Sequence, residues 1–352
     1  MRVLIVGLDT FARKNKLQIE LAHEKNYFFD IICNDTRGES HMEFGEFVEK
    51  GSRLFCNNKG NLAKIILFLR MMLRNKYQHV ELYPGGRLGF FYALVLWLTR
   101  TRFLVIERGD IGCMKDYSLL VQLSLILSYK LSSGVIYKET YMKERLRNFG
   151  AKKLYFLPNC VNEVSSDKLL SITERKGFLW VNRIIKQRRA SWLVNSFNSS
   201  ELNREALDVV GFKGLGIDLD EMPILERDLK ESKAELTSLH KLQGPFDFYK
   251  KRRFFCLPSE IVFGNNSLLE AMSHGLIPIV TRSPGIELLI TDGENGIITD
   301  FTEVSYRKGL VKAAKMTPAE VERMSASALE TIREKFSTQQ WINKLESIYT
   351  EK

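Results

Sequence analysis

Apolar runs of strand length alternate along this chain with longer stretches whose apolar positions recur every three or four residues. In the first half, Arg2–Val6, Phe29–Cys33, Gln78–Leu82, Arg102–Ile106, Gly134–Tyr137 and Lys153–Leu157 read as strands. Between them, Leu62–Arg74 (LAKIILFLRMMLR) has helical spacing, with Lys64, Arg70 and Arg74 off its apolar side. The polar segment Val161–Gly177 breaks the pattern, which places a domain boundary there. A second alternation follows: Phe178–Asn182, a helix through Ala190–Phe197, Leu207–Gly211, a helix near Asp220–Glu235, and Leu239–Gly244. It continues with Phe254–Pro258, a helix through Ser267–His274, and strands Ile277–Thr281, Ile286–Thr291 and Gly296–Thr299. Thr317–Lys335 and Thr338–Thr350 read as terminal helices, the first opened by the cap signature Thr317, Pro318, Glu320. Parallel strands need crossover connections, so this alternation predicts an α/β chain of two doubly wound domains, 1–165 and 166–337, facing across a cleft. Ligands of such sheets bind beyond the carboxyl ends of the strands, against helix N-termini.

Composition narrows the class. At 352 residues the chain is long for one core, and 45% hydrophobic with 27% charged residues excludes disordered, collagenous and coiled-coil proteins. The net charge of +10 is uneven: 25 basic and 16 acidic residues through Ser165, then 27 and 26. A basic first half suits an anionic contact such as a membrane face, a nucleic acid or a phosphorylated substrate. Nucleic acid is set aside because no reader motif accompanies the charge. Five scattered cysteines without CxxC argue for free thiols in a reducing compartment, and five histidines without an HxxxH pair suggest no metal site. The opening MRVLIVGLDT is too short an apolar run for a signal peptide. Leu88–Thr99 and Tyr117–Tyr129 fall short of the ~20 residues a spanning helix needs, and read as core helices or an interfacial surface. The location expected is cytoplasmic, peripheral at the inner face of the plasma membrane. Lys64, Arg70, Arg74 and Lys76 beside Ile65, Ile66, Leu67 and Leu69 would then meet an anionic leaflet, or else form an ordinary solvated helix face.

The stretch with most chemical content is Phe255–Ile298, FCLPSEIVFGNNSLLEAMSHGLIPIVTRSPGIELLITDGENGI. A buried strand ends at Pro258–Ser259, a loop carries Gly264, Asn265 and Asn266, and Ser267 is expected to cap a helix that bears Glu270. A Gly–Asn loop feeding a capped helix presents unpaired N–H groups and the positive end of a helix dipole, suited to a diphosphate or sugar hydroxyls. A carboxylate one turn inside can accept from two ribose hydroxyls, as in dinucleotide folds. A structural strand–loop–helix with a surface glutamate fits these residues equally well.

NSLLEAMSHGLIPIV followed by a glycine turn, DG and NG resembles the donor-binding block of family-4-type glycosyltransferases, whose two Rossmann-like domains form the GT-B fold. FLWVNRIIKQRRASWLVNSF is similar to the first strand, basic loop and helix of their C-terminal domain. LYFLPNCVN resembles the strand and turn that end their first domain, and LQGPFDFYKKRRFFCLPS the approach to the donor block. FSTQQWINKLESIY resembles their terminal helix, which implies that 338–352 pack back toward the first domain. The resemblance runs over about Leu131–Lys352.

The resemblance implies a clamp for the departing diphosphate from Arg183 and Arg188, the second standing where the family has lysine, with Lys186 and Arg189 deepening the field. It implies that Glu270 holds the nucleotide ribose. The family's other glutamate, with seven residues between it and the second, is Val262 here, with Glu260 a substitute if the loop is rearranged. Leu288 stands at a second usual glutamate position beside Glu287, and Glu107 replaces a strand-end histidine, with Asp110 nearby. The glycine-rich first loop is absent after Gly7, where LDTFARKNK stands and could shape the acceptor site. Asp218-Leu219-Asp220, the Gly85-Gly86-Gly89 and Gly211-Gly214-Gly216 sets, His274, Trp180 and Trp192 read as structural residues.

The expectation is a retaining, nucleotide-sugar-dependent glycosyltransferase of cell-surface polysaccharide or lipopolysaccharide assembly. A nucleotide sugar is the donor, a glycan or lipid-linked saccharide the acceptor, and neither cofactor nor metal is needed. Glu107 or Asp110 would orient the acceptor. The departures around the sugar pocket leave two alternatives open: a donor-binding scaffold subunit and a sugar-nucleotide epimerase.

Overall fold

The structure, a computed structural model, describes residues 1–11, 21, 23–36, 51–56, 60–85, 88–165, 169–212, 220–231, 235–239 and 246–351. The chain divides into two compact units, Met1–Pro158 with Ile342–Lys352, and Asn159–Trp341. The first division falls earlier than the polar segment suggested. Val161 bridges Ser337, and the Asn159 side chain holds the Gly264 carbonyl at 2.7 Å, so these residues belong to the second unit.

The first unit runs β1 (Arg2–Phe11), β2 (Phe28–Thr36), β3 (Arg53–Cys56), α1 (Asn61–Arg74), β4 (His79–Leu82), α2 (Gly89–Leu98), β5 (Phe103–Glu107), α3 (Leu119–Leu131), β6 (Gly134–Tyr137), α4 (Met142–Asn148) and β7 (Leu154–Phe156). All neighbours pair parallel, in the order β3-β2-β1-β4-β5-β6-β7. β4 and β6 are buried along their whole length, as a sheet covered on both faces requires. From β3 onward every crossover steps the same way along the sheet, so right-handed connections put α1 to α4 on one face. There Phe68, Met71, Tyr92, Leu96, Leu125 and Tyr129 pack on Leu4, Val80, Leu82, Phe103, Val105 and Val135. At one end of the sheet Asp30, fully buried, accepts from Arg2 at 2.9 Å, Arg53 at 2.6 and 2.7 Å, and the Tyr77 hydroxyl at 2.7 Å. Burial would raise this carboxyl, but the hydrogen bonds from Arg53 and Tyr77 and the charges of Arg2 and Arg53 outweigh it and hold it below the usual range.

The second unit runs β8 (Phe178–Asn182), α5 (Ala190–Phe197), β9 (Leu207–Phe212), α6 (Glu221–Lys230), β10 (Glu235–Leu239), α7 (Phe246–Lys251), β11 (Phe254–Leu257), α8 (Asn266–Ser273), β12 (Ile277–Thr281), β13 (Ile297–Thr299), α9 (Glu303–Ala314) and α10 (Pro318–Thr331). Its parallel order is β10-β9-β8-β11-β12-β13. The core gathers Phe178, Trp180, Leu193, Val209, Phe254, Ile279, Tyr306 and Leu310. Helix α11 (Thr338–Thr350) begins in this unit, and its residues from Ile342 onward count with the first. There Tyr349 is buried, donates its hydroxyl to Glu81 and stacks on His79 at 5.5 Å.

Each sheet starts in its interior, builds to one edge, then returns to the other side of its first strand. The reversal points lie between β1 and β4 and between β8 and β11, where loops leaving adjacent strand ends part and open a crevice. At the first of these Gly7 has φ 81, and a Cβ there would lie 2.1 Å from the Tyr83 carbonyl oxygen, so only glycine fits.

Several expectations are corrected. β3 and α9 were not anticipated. Ile286–Thr291 is not a strand. Gly285, at φ 82, turns the chain into a single 3-10 turn, Ile286–Leu288, and Ile286, Leu289 and Ile290 are buried at helical rather than alternate spacing. The strand expected at Leu239–Gly244 lies earlier, at Glu235–Leu239, and residues 240–244 fall outside the described residues. The helix from Thr317 has the expected capping box but leaves α geometry after Thr331 for one π turn, Ile332–Phe336. Ala12–Lys16, Gly86, Gly214, Gly216 and Asp218-Leu219 also lie outside the described residues.

Candidate active site

The reversal point between β8 and β11 collects most of the residues singled out from the sequence. β8 ends at Asn182, whose side-chain oxygen accepts from the Arg183 N–H at 3.1 Å, and the Arg183 side chain is exposed. Buried Ile184 anchors the chain before a 3-10 turn, Lys186–Arg188. Lys186 on this turn is exposed. The turn is stitched to the loop leaving β11. Arg188 Nη1 donates to Ser259 Oγ at 2.8 Å and to the Ile261 carbonyl at 2.6 Å, and the Glu260 N–H donates to the Gln187 carbonyl at 3.1 Å. Arg189, left-handed at φ 42, pairs through Nη2 with Glu260 Oε1 at 2.7 Å and lies over the Trp192 and Phe301 rings. The cationic turn and the loop entering α8 therefore form one construction.

That loop is braced from both sides. The Ser259 N–H donates to Thr281 Oγ1 at 2.9 Å, and the Val262 N–H to Ser283 Oγ at 3.1 Å. Gly264 turns it at φ 77. Asn159 Nδ2 donates to the Gly264 carbonyl at 2.7 Å and to Asn266 Oδ1 at 2.9 Å. The helix cap is Asn265, not Ser267: Asn265 has extended backbone, and its Oδ1 accepts from the Leu268 N–H at 3.1 Å, which puts Ser267 inside the first turn. Helix geometry leaves the Asn266 and Ser267 N–H groups without intrahelical acceptors, at the positive end of the α8 dipole. One turn on, half-buried Glu270 accepts at Oε2 from the hydroxyl of fully buried Tyr249 at 3.0 Å. Burial first, then the charge of Glu270, holds the Tyr249 hydroxyl protonated far above its usual pKa, so it stays a donor. His274 closes the helix, with Nδ1 donating to the Glu270 carbonyl at 2.7 Å. Burial depresses its pKa and favours the neutral ring.

The positions that depart from the resembled pattern are settled differently. Val262 is fully buried, so its backbone course offers no outward carboxylate position. Glu260 is exposed but engaged with Arg189. Leu288 is exposed, and Glu287 beside it faces Arg282 at 3.6 Å. In the first unit, Glu107 is buried after β5. Its Oε1 accepts from the Gly109 and Ile111 N–H groups at 2.7 and 3.2 Å, and its Oε2 from the Tyr129 hydroxyl. Burial raises its pKa despite that hydroxyl, and its oxygens are spent holding the turn that follows. Asp110, half-buried, accepts from the Tyr117 hydroxyl at 3.0 Å and faces the open side of Gly85. Of the two acidic candidates, Asp110 is the accessible one.

Sequence reasoning missed Tyr249, Asn159, Ser259 and Thr281. Only the PNC turn and the PS strand end carried any signal for them. Trp180 is core, as expected, and Trp192 is half-buried against Arg189. Among the described residues no cluster of His, Cys, Asp and Glu could hold a metal ion, and no helix is long and apolar enough to cross a membrane.

Two parallel-sheet units of this topology, the second carrying its loops and capped helix at the β8/β11 reversal, define the GT-B fold. The Anabaena protein HepE, in complex with UDP-glucose, has a TM-score of 0.75 at 11% identity over 100% of both chains. The sucrose-phosphate synthase of Thermosynechococcus elongatus has 0.73 at 14% identity, covering 99% of this chain and 98% of its own. The lipopolysaccharide outer core galactosyltransferase WaaB has 0.68 at 15% identity, covering 99% and 98%. Residues 175–312, the heart of the second unit, match the family described as Glycosyl transferases group 1. The chain therefore has the GT-B fold of these proteins, and its second unit is similar over residues 175–312 to the group 1 glycosyl transferases. No curated protein sequence matches it.

Proposed function

We propose that the enzyme transfers a sugar, with retention, from a nucleotide sugar to a glycan or lipid-linked saccharide in cell-surface polysaccharide assembly, at the cytoplasmic face of the membrane. The observation that carries the donor reading is the stitching of the Lys186–Arg189 turn to the loop entering α8. It sets fixed cations beside free helical N–H groups. Glycosyl transfer separates charge, positive on the sugar ring and negative on the departing diphosphate. Arg188 and the first turn of α8 meet the negative charge with groups already oriented, in the manner of an oxyanion hole, and exposed Arg183 and Lys186 add positive charge beside them. They make a metal unnecessary for that task. Glu270, oriented by Tyr249, accepts from the ribose hydroxyls, and Gly264, Asn265, Asn266 and Ser267 supply the backbone that approaches the phosphates. Asp110 orients the acceptor hydroxyl. The pathway and acceptor are suggested by HepE with UDP-glucose and by WaaB, and retention by the resemblance of the donor block.

A second reading, donor binding without transfer, is favoured by buried Val262 and by Leu288, which leave the sugar without the usual carboxylates. Thermal unfolding with a panel of nucleotides and nucleotide sugars tests the proposal. A cognate ligand at a hundred times its Kd stabilises by about 2.7 kcal/mol, a clear rise in Tm. A panel without effect refutes the donor site, and stabilisation without product in the presence of lipid-linked or glycan acceptors supports the second reading.

A further inference from the structure

We propose that the outward faces of α1, α2 and α3 form one docking surface for an anionic lipid bilayer. This deepens the membrane location proposed above and is independent of the donor chemistry. The three helices cover the same side of the first sheet. Phe68 of α1 packs edge-on against Phe91 and Tyr92 of α2, and Gly89 of α2 approaches Ser124 of α3 so closely that a Cβ would lie 3.0 Å from its hydroxyl. Their inner faces are spent on the core. Their outer faces are apolar where a soluble helix carries polar groups. On α1, Leu62, Ile66, Leu69 and Leu73 form an exposed stripe at helical spacing, Leu73 being 87% exposed. Phe90, Trp97 and Leu98 extend it on α2, and Leu119, Leu120 and Leu123 on α3, with Leu120 80% exposed. Large exposed apolar residues elsewhere among the described residues are scattered singly.

Charge selects the occupant. Between Gly60 and Gly109 the chain carries eight Lys or Arg and two acids, Glu81 and Glu107, both buried. Arg70, Arg74, Lys76 and Arg100 are exposed around the apolar stripes. Trp97, 53% exposed, also walls a cavity of about 460 Å³ whose lining includes Arg100, Arg102 and Lys153. Lys153 is paired with Glu351, and Arg102 donates to the Glu351 and Ile348 carbonyls, so exposed Arg100 is the cation of this lining that a headgroup phosphate would meet. A second copy of this chain would oppose like charges across a two-fold axis. An anionic leaflet satisfies both halves of the surface, burying the leucines in the acyl boundary and drawing the basic rim to its headgroups.

The test is co-sedimentation of the full chain with phosphatidylglycerol–phosphatidylethanolamine vesicles, against pure phosphatidylcholine. The anionic vesicles should bind it more tightly, and Leu73→Glu with Leu120→Glu should weaken that binding by roughly tenfold or more, with Tm unchanged. Brominated lipid should quench the tryptophan emission, and Trp97→Phe should remove the quenching while binding persists. Equal binding by the double variant, quenching that survives Trp97→Phe, or a concentration-dependent dimer abolished by the double variant would each overturn the proposal. Vesicle binding by a protein that no nucleotide stabilises would remove the donor reading and leave this one standing.

Discussion

Replacing Arg188 with alanine separates its two possible duties, because it anchors the loop and also carries charge. Its Nη1 bonds to Ser259 Oγ at 2.8 Å and to the Ile261 carbonyl at 2.6 Å, so truncation frees the loop entering α8 as well as removing a cation. For a phosphate about 5 Å away, an effective dielectric near 20 gives about 3 kcal/mol per unit charge pair. Arg188 is half-buried, so solvent screening reduces this to about 1–2 kcal/mol. The dissociation constant of a nucleoside diphosphate should then rise roughly 5- to 30-fold. Calorimetry with UDP and UMP is the assay, UDP being the nucleotide held by HepE. The loss should be larger for the diphosphate, since the proposed clamp would meet the phosphate that the monophosphate lacks. Arg188→Lys keeps the charge but cannot reproduce the two-acceptor geometry, so it should fall between wild type and alanine. If Arg188→Ala lowers Tm but leaves UDP affinity unchanged, Arg188 is a strut for the loop and the clamp assignment fails.

Two further outcomes follow from named contacts. Tyr249→Phe removes the donor at 3.0 Å from Glu270 Oε2, and should raise the UDP Kd by roughly threefold to tenfold; equal losses for UDP and for inorganic pyrophosphate, which has no ribose, would contradict the orienting role. Asp30 has its folded pKa held below the ordinary value, so its stabilisation is complete above the unfolded pKa and is lost as pH falls through the folded one. Asp30→Asn should therefore cost about 2 kcal/mol at neutral pH and flatten the acid limb below about pH 4 in urea titrations; an unchanged acid limb would show that Asp30 is not the group titrating there.

Much of the second unit was legible in sequence because local signals and buried periodicity agree there. β8, α5 and β12 fall where their patterns put them, and Thr317 with Glu320 forms the expected capping box. The loop chemistry was less so. Ser267 and Asn265 are both good caps, and the choice between them depends on a backbone torsion that a single sequence does not display. Ile286–Thr291 carried enough apolar residues for a strand, but the left-handed Gly285 turned them into a helical turn.

What the residues decided alone is the alternation of apolar runs and amphipathic stretches, and with it two parallel sheets, because backbone hydrogen bonding and right-handed crossovers leave few other ways to bury those faces. Tertiary structure decided the pairings across long separations: Arg188 with Ser259, Asn159 with Gly264, Tyr249 with Glu270, and Glu107 with Tyr129. It also decided which apolar side of α1, α2 and α3 stays uncovered. A side chain's partner depends on where the sheet order brings its strand end, and strand order is set by the packing of whole elements rather than by any local run of residues.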